Sequence, residues 1–347
     1  MSAHPGLALD SKGLKDLLDL TLSSSIYPME ELISAENLSE WSAKDLKSNR
    51  DLVIKVKALG TTPKDYDISD ATRVMYEFQR KSAAVGQDFF VEFIAYAVTD
   101  EVAICEFERY KIALCDILNQ PVAQPFLGTQ IRAIATQVLT GLDYLHRNGL
   151  VHGNLASSSV VLVDATVVSF TDFSAGRFVT RRVLRSPVIK ITDYDEGLHL
   201  KKRTGRRVVG VCGYEAPEIV FGMKWSYPVD IFAFGCLITE LYIGKVFMPS
   251  IPNDTQYLTR LERLLGRLSL PFVDRLAAKG FQRLFNEYGE LIRDLSDCEP
   301  YDKATSASLA ELLRRPDLVE FVRLALVPDS YVRVNADFLL THQYLRL

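Results

Sequence analysis

Pro228 to Tyr242 reads as a helix that is apolar on almost every side. Such a segment is satisfied by burial at the centre of a helical lobe, because a surface helix keeps one polar face. A second helix, Thr129 to Asn148, carries Ile131, Ile134, Ala135, Val138, Leu142 and Leu145 at helical spacing, and covers a core with that face. Gly149 ends it, a residue that readily takes the left-handed C-terminal conformation. Upstream the pattern changes. Leu52-Val53-Ile54-Lys55-Val56, Phe89-Phe90-Val91-Glu92-Phe93 and Val102-Ala103-Ile104-Cys105-Glu106-Phe107 are strand-like runs. Between the first two a helix is expected from Ile68 to Ala84, started by Ser69 or Asp70. Strands first and helices after describe an α+β, bilobal chain: a small antiparallel sheet lobe with one main helix, then a larger helical lobe. The expected boundaries are an N-terminal extension at 1–27, the sheet lobe at 28–107 and the helical lobe at 108–347. In the extension, Leu14, Leu17, Leu18 and Leu20 give a short helix one apolar face, suited to docking on the main fold.

Composition narrows the classes of function. With 48% hydrophobic and 24% charged residues in 347, the chain can bury a substantial core. A formal charge of -4 is too mild for bulk attraction to nucleic acid or an anionic membrane, so neither is an expected partner. Cys105, Cys115, Cys212, Cys236 and Cys298 are scattered and odd in number, which fits reduced intracellular thiols, cytoplasmic or nuclear. No basic segment leads into an apolar run at the N-terminus, so no secretory leader is expected. No apolar stretch approaches about 18 residues, so no spanning helix is expected either.

Several short segments, in order, resemble the eukaryotic protein kinase fold. Tyr144-Leu145-His146-Arg147-Asn148-Gly149-Leu150-Val151-His152-Gly153-Asn154-Leu155 is similar to the helix and catalytic loop of that family. Gly213-Tyr214-Glu215-Ala216-Pro217-Glu218 contains the Ala-Pro-Glu that closes the activation segment. Asp230-Ile231-Phe232-Ala233-Phe234-Gly235 resembles the family's Asp-x-Trp-Ser-x-Gly helix, and Arg333 matches the late arginine that pairs with the Ala-Pro-Glu glutamate. His342-Gln343-Tyr344-Leu345 resembles the closing His-Pro-Phe-Phe. A finer resemblance is to the LAMMER, or Cdc2-like, branch of the CMGC kinases. Its Glu-His-Leu-Ala-Met-Met-Glu-Arg-Ile-Leu-Gly is similar to Gln256-Tyr257-Leu258-Thr259-Arg260-Leu261-Glu262-Arg263-Leu264-Leu265-Gly266, with five of eleven positions identical. That branch inserts a hairpin after the catalytic loop and tolerates a non-arginine at Gly153. Against it, the branch's arginine before Ala-Pro-Glu is Glu215.

The resemblance implies where chemistry sits. The catalytic loop normally reads His-x-Asp-Leu-Lys-x-x-Asn, whose Asp accepts the substrate proton and whose Asn holds a second magnesium ion. Following His152, those positions are Asn154, Ala156 and Ser159. An amide has no useful basicity near neutral pH. Lys55 resembles the strand lysine that meets the α- and β-phosphates, with Glu77 as its helix partner. Two registers are open for the metal-binding aspartate. Asp172-Phe173-Ser174 lies 18 residues after Asn154, while Asp193-Tyr194-Asp195 follows the strand-like Val188-Ile189-Lys190-Ile191 and stands 23 residues before Ala216. The second is preferred and places Asp172 on a hairpin spanning Val160 to Ile191. The phosphate-covering segment Ser34 to Ser39 has no glycine, with Leu38 at the loop tip and Trp41 over the adenine. ATP with magnesium is therefore expected to bind weakly or not at all. Val211 replaces the threonine usual before the substrate site.

Glu218, Asp230 and Arg333 are expected to be structural. The joint change at Asn154, Ala156 and Ser159 implies a catalytically impaired kinase fold, a pseudokinase acting as scaffold or allosteric regulator through a protein partner. The alternatives are an atypical active serine/threonine kinase and a nucleotide sensor without turnover. Lys201-Lys202-Arg203-Thr204-Gly205-Arg206-Arg207 offers a basic patch for an acidic or phosphorylated partner segment.

Overall fold

The structure is a computed structural model. It describes residues 26–34, 38–45, 47–58, 87–98, 102–119, 126–174, 176–194, 198–199, 210–248, 253–292 and 307–346. Five antiparallel strands form the sheet lobe: β1 (Ile26–Ser34), β2 (Leu38–Asp45), β3 (Arg50–Ala58), β4 (Phe93–Val98) and β5 (Val102–Glu108), in the order β1-β2-β3-β5-β4. The first strand starts at Ile26, inside the expected 1–27 extension. Between β2 and β3 the Asp45 carboxylate accepts the Lys47 N–H at 2.9 Å, and Asn49 takes a φ of 57°. Aspartate and asparagine suit these roles because their short polar side chains bond local backbone and tolerate left-handed geometry.

The β2–β3 ladder pairs Glu40 with Lys55, Trp41 with Ile54 and Ser42 with Val53. Side chains alternate along a strand, so this register decides what each face holds. Trp41, Ala43, Leu52, Ile54, Val56 and Ile104 pack together on one face. Glu40, Ser42, Val53 and Lys55 take the other, beside Cys105 and Phe107 of β5. Trp41 thus points away from Lys55, which corrects its expected place over an adenine.

Phe89 to Phe93 was expected as a strand. Instead a short 3-10 turn covers Gln87–Phe89, Phe90 makes an isolated bridge to Ile191, and β4 begins only at Phe93. Packing between the lobes overrides the local preference. Phe90 is buried beside the rings of Tyr144 and Tyr194, and the Val91 N–H bonds the Ile191 carbonyl at 3.0 Å.

The helical lobe opens with β6 (Ile112–Ala113) and α1 (Leu114–Leu118), then α2 (Gly128–Arg147). Gly149, at φ 81°, lets the chain leave α2 for β7 (Leu150–Val151). Two short strands, β8 (Val160–Leu162) and β11 (Ile189–Ile191), pair with each other. Between them rises a hairpin, β9 (Val167–Ser174) against β10 (Arg177–Leu184), which presents Phe170, Phe173 and Phe178 to solvent. β12 (Leu198–His199) pairs with β7. Among the described residues the remaining α-helices are α3 (Pro217–Val220), α4 (Pro228–Ile243), α5 (Asp254–Leu265), α6 (Leu270–Leu276), α7 (Leu309–Leu313), α8 (Pro316–Ala325) and α9 (Ala336–Leu340).

Every residue of α4 from Val229 to Leu241 is buried, which is why its sequence has no polar stripe. Gly235 allows α8 to come close, since a Cβ there would lie 2.7 Å from Leu326 Cδ2. The LAMMER-like segment forms α5, started by the Asn253 side chain accepting the Gln256 N–H at 2.8 Å.

Candidate functional site

Lys55 stands mid-strand on the face of β3 that meets the helical lobe, and its side chain is 1% exposed. A buried ammonium needs charged or hydrogen-bonded partners. Its Nζ donates to the Asp193 carboxylate, lies 3.3 Å from Glu40 Oε1, and sits 5.2 Å above the Phe107 ring. Asp193 follows β11 with a left-handed φ of 62°, a conformation aspartate tolerates better than most residues. Its neighbours fix it. The Thr192 N–H bonds the Ser159 carbonyl at 2.9 Å, and the Thr192 carbonyl accepts from His152 Nε2 at 2.9 Å. On the other side Tyr194 donates its hydroxyl to the Val91 carbonyl at 2.6 Å and packs edge-on against Phe90 and Phe107. Asp193, not Asp172, is therefore the aspartate beside Lys55. Asp172 lies in hairpin strand β9, opposite Val179.

A second centre suspends the loop that carries Asn154. Asp230, in the first turn of α4, is buried. Its carboxylate accepts the His152 N–H, the Gly153 N–H and His146 Nε2, each at 2.8 Å. Burial pushes this carboxyl up, but the His146 bond, the electrostatic pull of the His146 and His152 rings and the Gly153 bond outweigh it, leaving the group below the ordinary carboxylate range. Gly153 sits at φ 72°, where any other residue except asparagine or aspartate is strained. The Asn154 N–H donates to His152 Nδ1 at 3.2 Å, which assigns the imidazole proton to Nε2.

Asn154 itself is half-buried at the loop's turn. Ser159 is fully buried and spends its hydroxyl inside the loop: Oγ accepts the Ala156 N–H at 2.9 Å and lies 3.1 Å from the Ala156 carbonyl. Ala156 is buried too. Further bonds tie the loop to Tyr214 and to α4. The Tyr214 hydroxyl accepts the Ser157 N–H at 3.3 Å and donates to Ser157 Oγ at 3.1 Å, and Ser157 Oγ lies 3.5 Å from Glu240 Oε1. Burial pushes the Glu240 carboxyl up to about 7, partly opposed by the Ser157 bond.

Glu218 and Arg333 lock the far side of the lobe. Arg333 donates from both terminal nitrogens to the two Glu218 oxygens, at 2.7 and 2.9 Å. It also donates to the carbonyls of Val327, Pro228 and Pro328. Glu77, the loop tip at 35–37 and the basic segment Lys201 to Arg207 lie outside the described residues. Among the described residues, no group of three or more His, Cys, Asp or Glu is gathered to hold a metal by itself. Nor, among them, is any helix long and apolar enough to cross a membrane. Sequence reasoning missed Glu40 and Glu240. The only signal for Glu40 was the strand period, which needs the turn length between β2 and β3 to become a register.

The chain is similar to the serine/threonine-protein kinase AFC2 of Arabidopsis thaliana, 28% identical over 184 residues, 51% of this chain and 43% of that protein. It is similar to the dual specificity protein kinase lkh1 of Schizosaccharomyces pombe, 28% identical over 66% of this chain and 34% of that one. With the human dual specificity protein kinase CLK4 it shares 25% identity over 70% of this chain and 50% of that protein. The matched parts thus span half or less of these relatives. The crystal structure of the PF14_0431 kinase domain superposes with a TM-score of 0.75, at 15% identity, covering 99% of this chain and 98% of that one. These findings overturn the expectation of an impaired, scaffolding pseudokinase: the relatives bear the names of dual-specificity and serine/threonine protein kinases, and the alternative of an atypical active kinase fits them better. Residues 42–345 match the protein kinase domain family, in line with the sheet lobe, the helical lobe and the cleft between them, and the chain belongs to that family.

Proposed function

We propose that the chain is an atypical serine/threonine protein kinase, moving a phosphoryl group from ATP to a protein hydroxyl. One observation carries this reading. Lys55 from the sheet lobe and Asp193 from the helical lobe meet across the cleft. The kinase names of the relatives support it. Asp193 offers the hard carboxylate oxygen that suits magnesium, and Lys55 the ammonium that suits phosphate. Ser159 does not suit a second ion, because its hydroxyl is engaged by Ala156. Bound magnesium would supply charge neutralisation between phosphate oxygens.

The residues of the chain do the positioning. Lys55 holds the α- and β-phosphates. The loop hung on Asp230 presents the Asn154 amide to the substrate hydroxyl, where it can orient but not deprotonate. Phosphoryl transfer passes through a loose transition state and depends mainly on positioning and charge stabilisation, so a loop without a base slows the reaction without removing its other supports. The basic segment Lys201 to Arg207 suits acidic or already phosphorylated partner segments. The described cysteines, Cys105, Cys115, Cys212 and Cys236, are free thiols, which supports a reducing cytoplasmic or nuclear setting.

The test is transfer of radiolabelled phosphate from ATP with magnesium to serine- and threonine-bearing proteins. Expected is slow transfer that disappears in Asp193→Asn and in Lys55→Met. No transfer by the wild-type chain under saturating ATP, or transfer untouched by both variants, overturns the proposal.

A further inference from the structure

The β9–β10 hairpin carries aromatic surface that the fold leaves uncovered. Its base is held. Val183 and Leu184 are buried, Gln130 Nε2 donates to the Leu184 carbonyl at 2.8 Å, and the Arg185 N–H donates to the Thr166 carbonyl at 2.7 Å. Beyond the base, the described side chains from Ser169 to Arg182 are exposed. The two strands run in unbroken antiparallel register, and residues directly opposite share a face. Phe173 and Phe178 therefore stand together, with Thr171, Thr180 and Arg182 on the same side. The two rings meet edge-on at 5.1 Å and the two threonine hydroxyls lie 3.0 Å apart, yet Phe173 is 61% and Phe178 78% exposed. A single exposed apolar residue is ordinary, but a preordered aromatic pair is the kind of anchor on which interfaces are built. Arg177 and Arg182 are exposed on β10 and have no ion-pair partner among the described residues. Among the described residues neither strand pairs with a third, so both outer edges keep backbone groups open to another strand.

We infer that the open edge of β10 is a docking site for an extended, acidic protein segment that adds to the hairpin as a third strand. Strand addition satisfies the open backbone edge, and side chains at alternate positions select the partner. Arg177, Arg181 and Arg182 belong to β10, whereas β9 carries Asp172, so the β10 edge favours anionic side chains in a chain whose formal charge is -4. Guanidinium forks suit carboxylates. Phe178 and Arg182 are four residues apart on one face, about 13 Å along the strand. The fitting segment has an apolar side chain against Phe178 and an Asp or Glu four positions away against Arg182. A second copy of this chain fits poorly, because a two-fold pairing of β10 brings the arginines of both copies onto one short edge. A lipid surface fits poorly too, since it offers no partner to the backbone N–H and C=O groups of the edge. The inference does not depend on nucleotide binding at Lys55.

The test uses the full chain and a displayed library of random linear peptides. Peptides selected on the wild type should carry Asp or Glu and have apolar residues at alternate positions. In calorimetric titration their synthetic copies should bind Phe178→Ser and Arg182→Ser about tenfold more weakly or worse, with salt dependence reduced in Arg182→Ser alone. Methylating alternate amide nitrogens of such a peptide should abolish binding in one phase and spare it in the other, because a strand added at an edge bonds on one side only. Both positions are exposed, so melting curves of the two variants should match the wild type. Selected peptides that bind both variants as tightly as the wild type overturn the inference, and binding indifferent to both methylation phases does the same. Loss of binding only when Lys201, Lys202, Arg203, Arg206 and Arg207 are replaced by Ser would move the acidic partner to that segment, and the inference falls. Failure to select any peptide also overturns it, as does dimerisation of the wild type that Phe178→Ser abolishes. Phe178-dependent binding to phosphatidylserine vesicles without peptide binding would show a lipid-facing hairpin and overturn it as well.

Discussion

Arg333→Ala is the sharpest test of what holds the helical lobe. The Arg333 side chain is 0% exposed and that of Glu218 is 2% exposed. The guanidinium makes five donations, two to Glu218 and one each to the carbonyls of Val327, Pro228 and Pro328. It also stacks 5.1 Å from the Phe232 ring. Truncation leaves a buried carboxylate without its cation and three carbonyls without that donor. Removing one side of a buried pair costs about 3–5 kcal/mol. For a unit of about 150–250 residues each kcal/mol moves the melting temperature by about 2–4 °C, so the variant should melt about 6–20 °C lower. Differential scanning calorimetry reads this directly. The double variant Glu218→Gln with Arg333→Ala should recover part of the loss, since it removes the stranded charge as well. A single variant that melts within about 1 °C of wild type would refute the reasoning, as would a double variant no better than the single.

Other expectations follow from the same geometry. Glu106 is 4% exposed with an unbonded Oε1; burial, helped by the charge of Asp45, raises it from 4.5 to about 7. Its folded form keeps a proton that the unfolded chain releases, so stability falls as pH rises between about 4.5 and 7. Glu106→Gln should then be more stable than wild type by about 2 kcal/mol at pH 8, with the gap closing near the unfolded value, as read by urea melts across that range. Asp230→Asn weakens three contacts on the His152 loop, and steady-state assays should show transfer slower by about 10²-fold with a smaller change in ATP affinity. Asn154→Asp adds the missing base and should speed transfer by about 10²-fold; an unchanged rate would show that position 154 does not face the transferred proton. Phe178→Ser, at a position 78% exposed on the hairpin tip, should change stability by no more than about 0.5 kcal/mol in denaturant titration.

Much of the fold was legible because burial leaves a period. The almost wholly apolar α4 and the one-faced α2 could be read directly from spacing. Asp193 could be preferred over Asp172 because a strand-like run precedes it, and β11 is that strand. Phe89 to Phe93 misled because a short aromatic run does not say whether a sheet or another lobe buries it. Trp41 was misplaced, and Glu40 missed, for a different reason. One residue of register exchanges the two faces of a strand, and the register depends on a turn that composition alone does not count. The Ser157–Tyr214–Glu240 contacts join residues 57 and 83 positions apart, beyond any local pattern.

The changed and retained positions divide by physical role. His152, Asp230, Glu218 and Arg333 hold the loop and the lobe, and each keeps its hydrogen bonds in a site closed to water. Their loss would strand buried charge, so the fold itself depends on them. Asn154, Ala156 and Ser159 lie on the loop those groups support, and their changes leave no stranded charge behind. Asn154 is half-buried, Ala156 is packed, and Ser159 is satisfied by its own loop. The loop thus keeps its internal hydrogen bonds with Asn154, Ala156 and Ser159 at these positions. In the cleft, Glu40 of the sheet lobe and Asp193 of the helical lobe both contact Lys55. A general base contributes typically about 10²–10⁴-fold to a rate, whereas positioning and electrostatic stabilisation supply most of phosphoryl transfer. The transfer proposed above would then rest on the Lys55–Asp193 contact and on the positioning of the loop rather than on the loop's basicity.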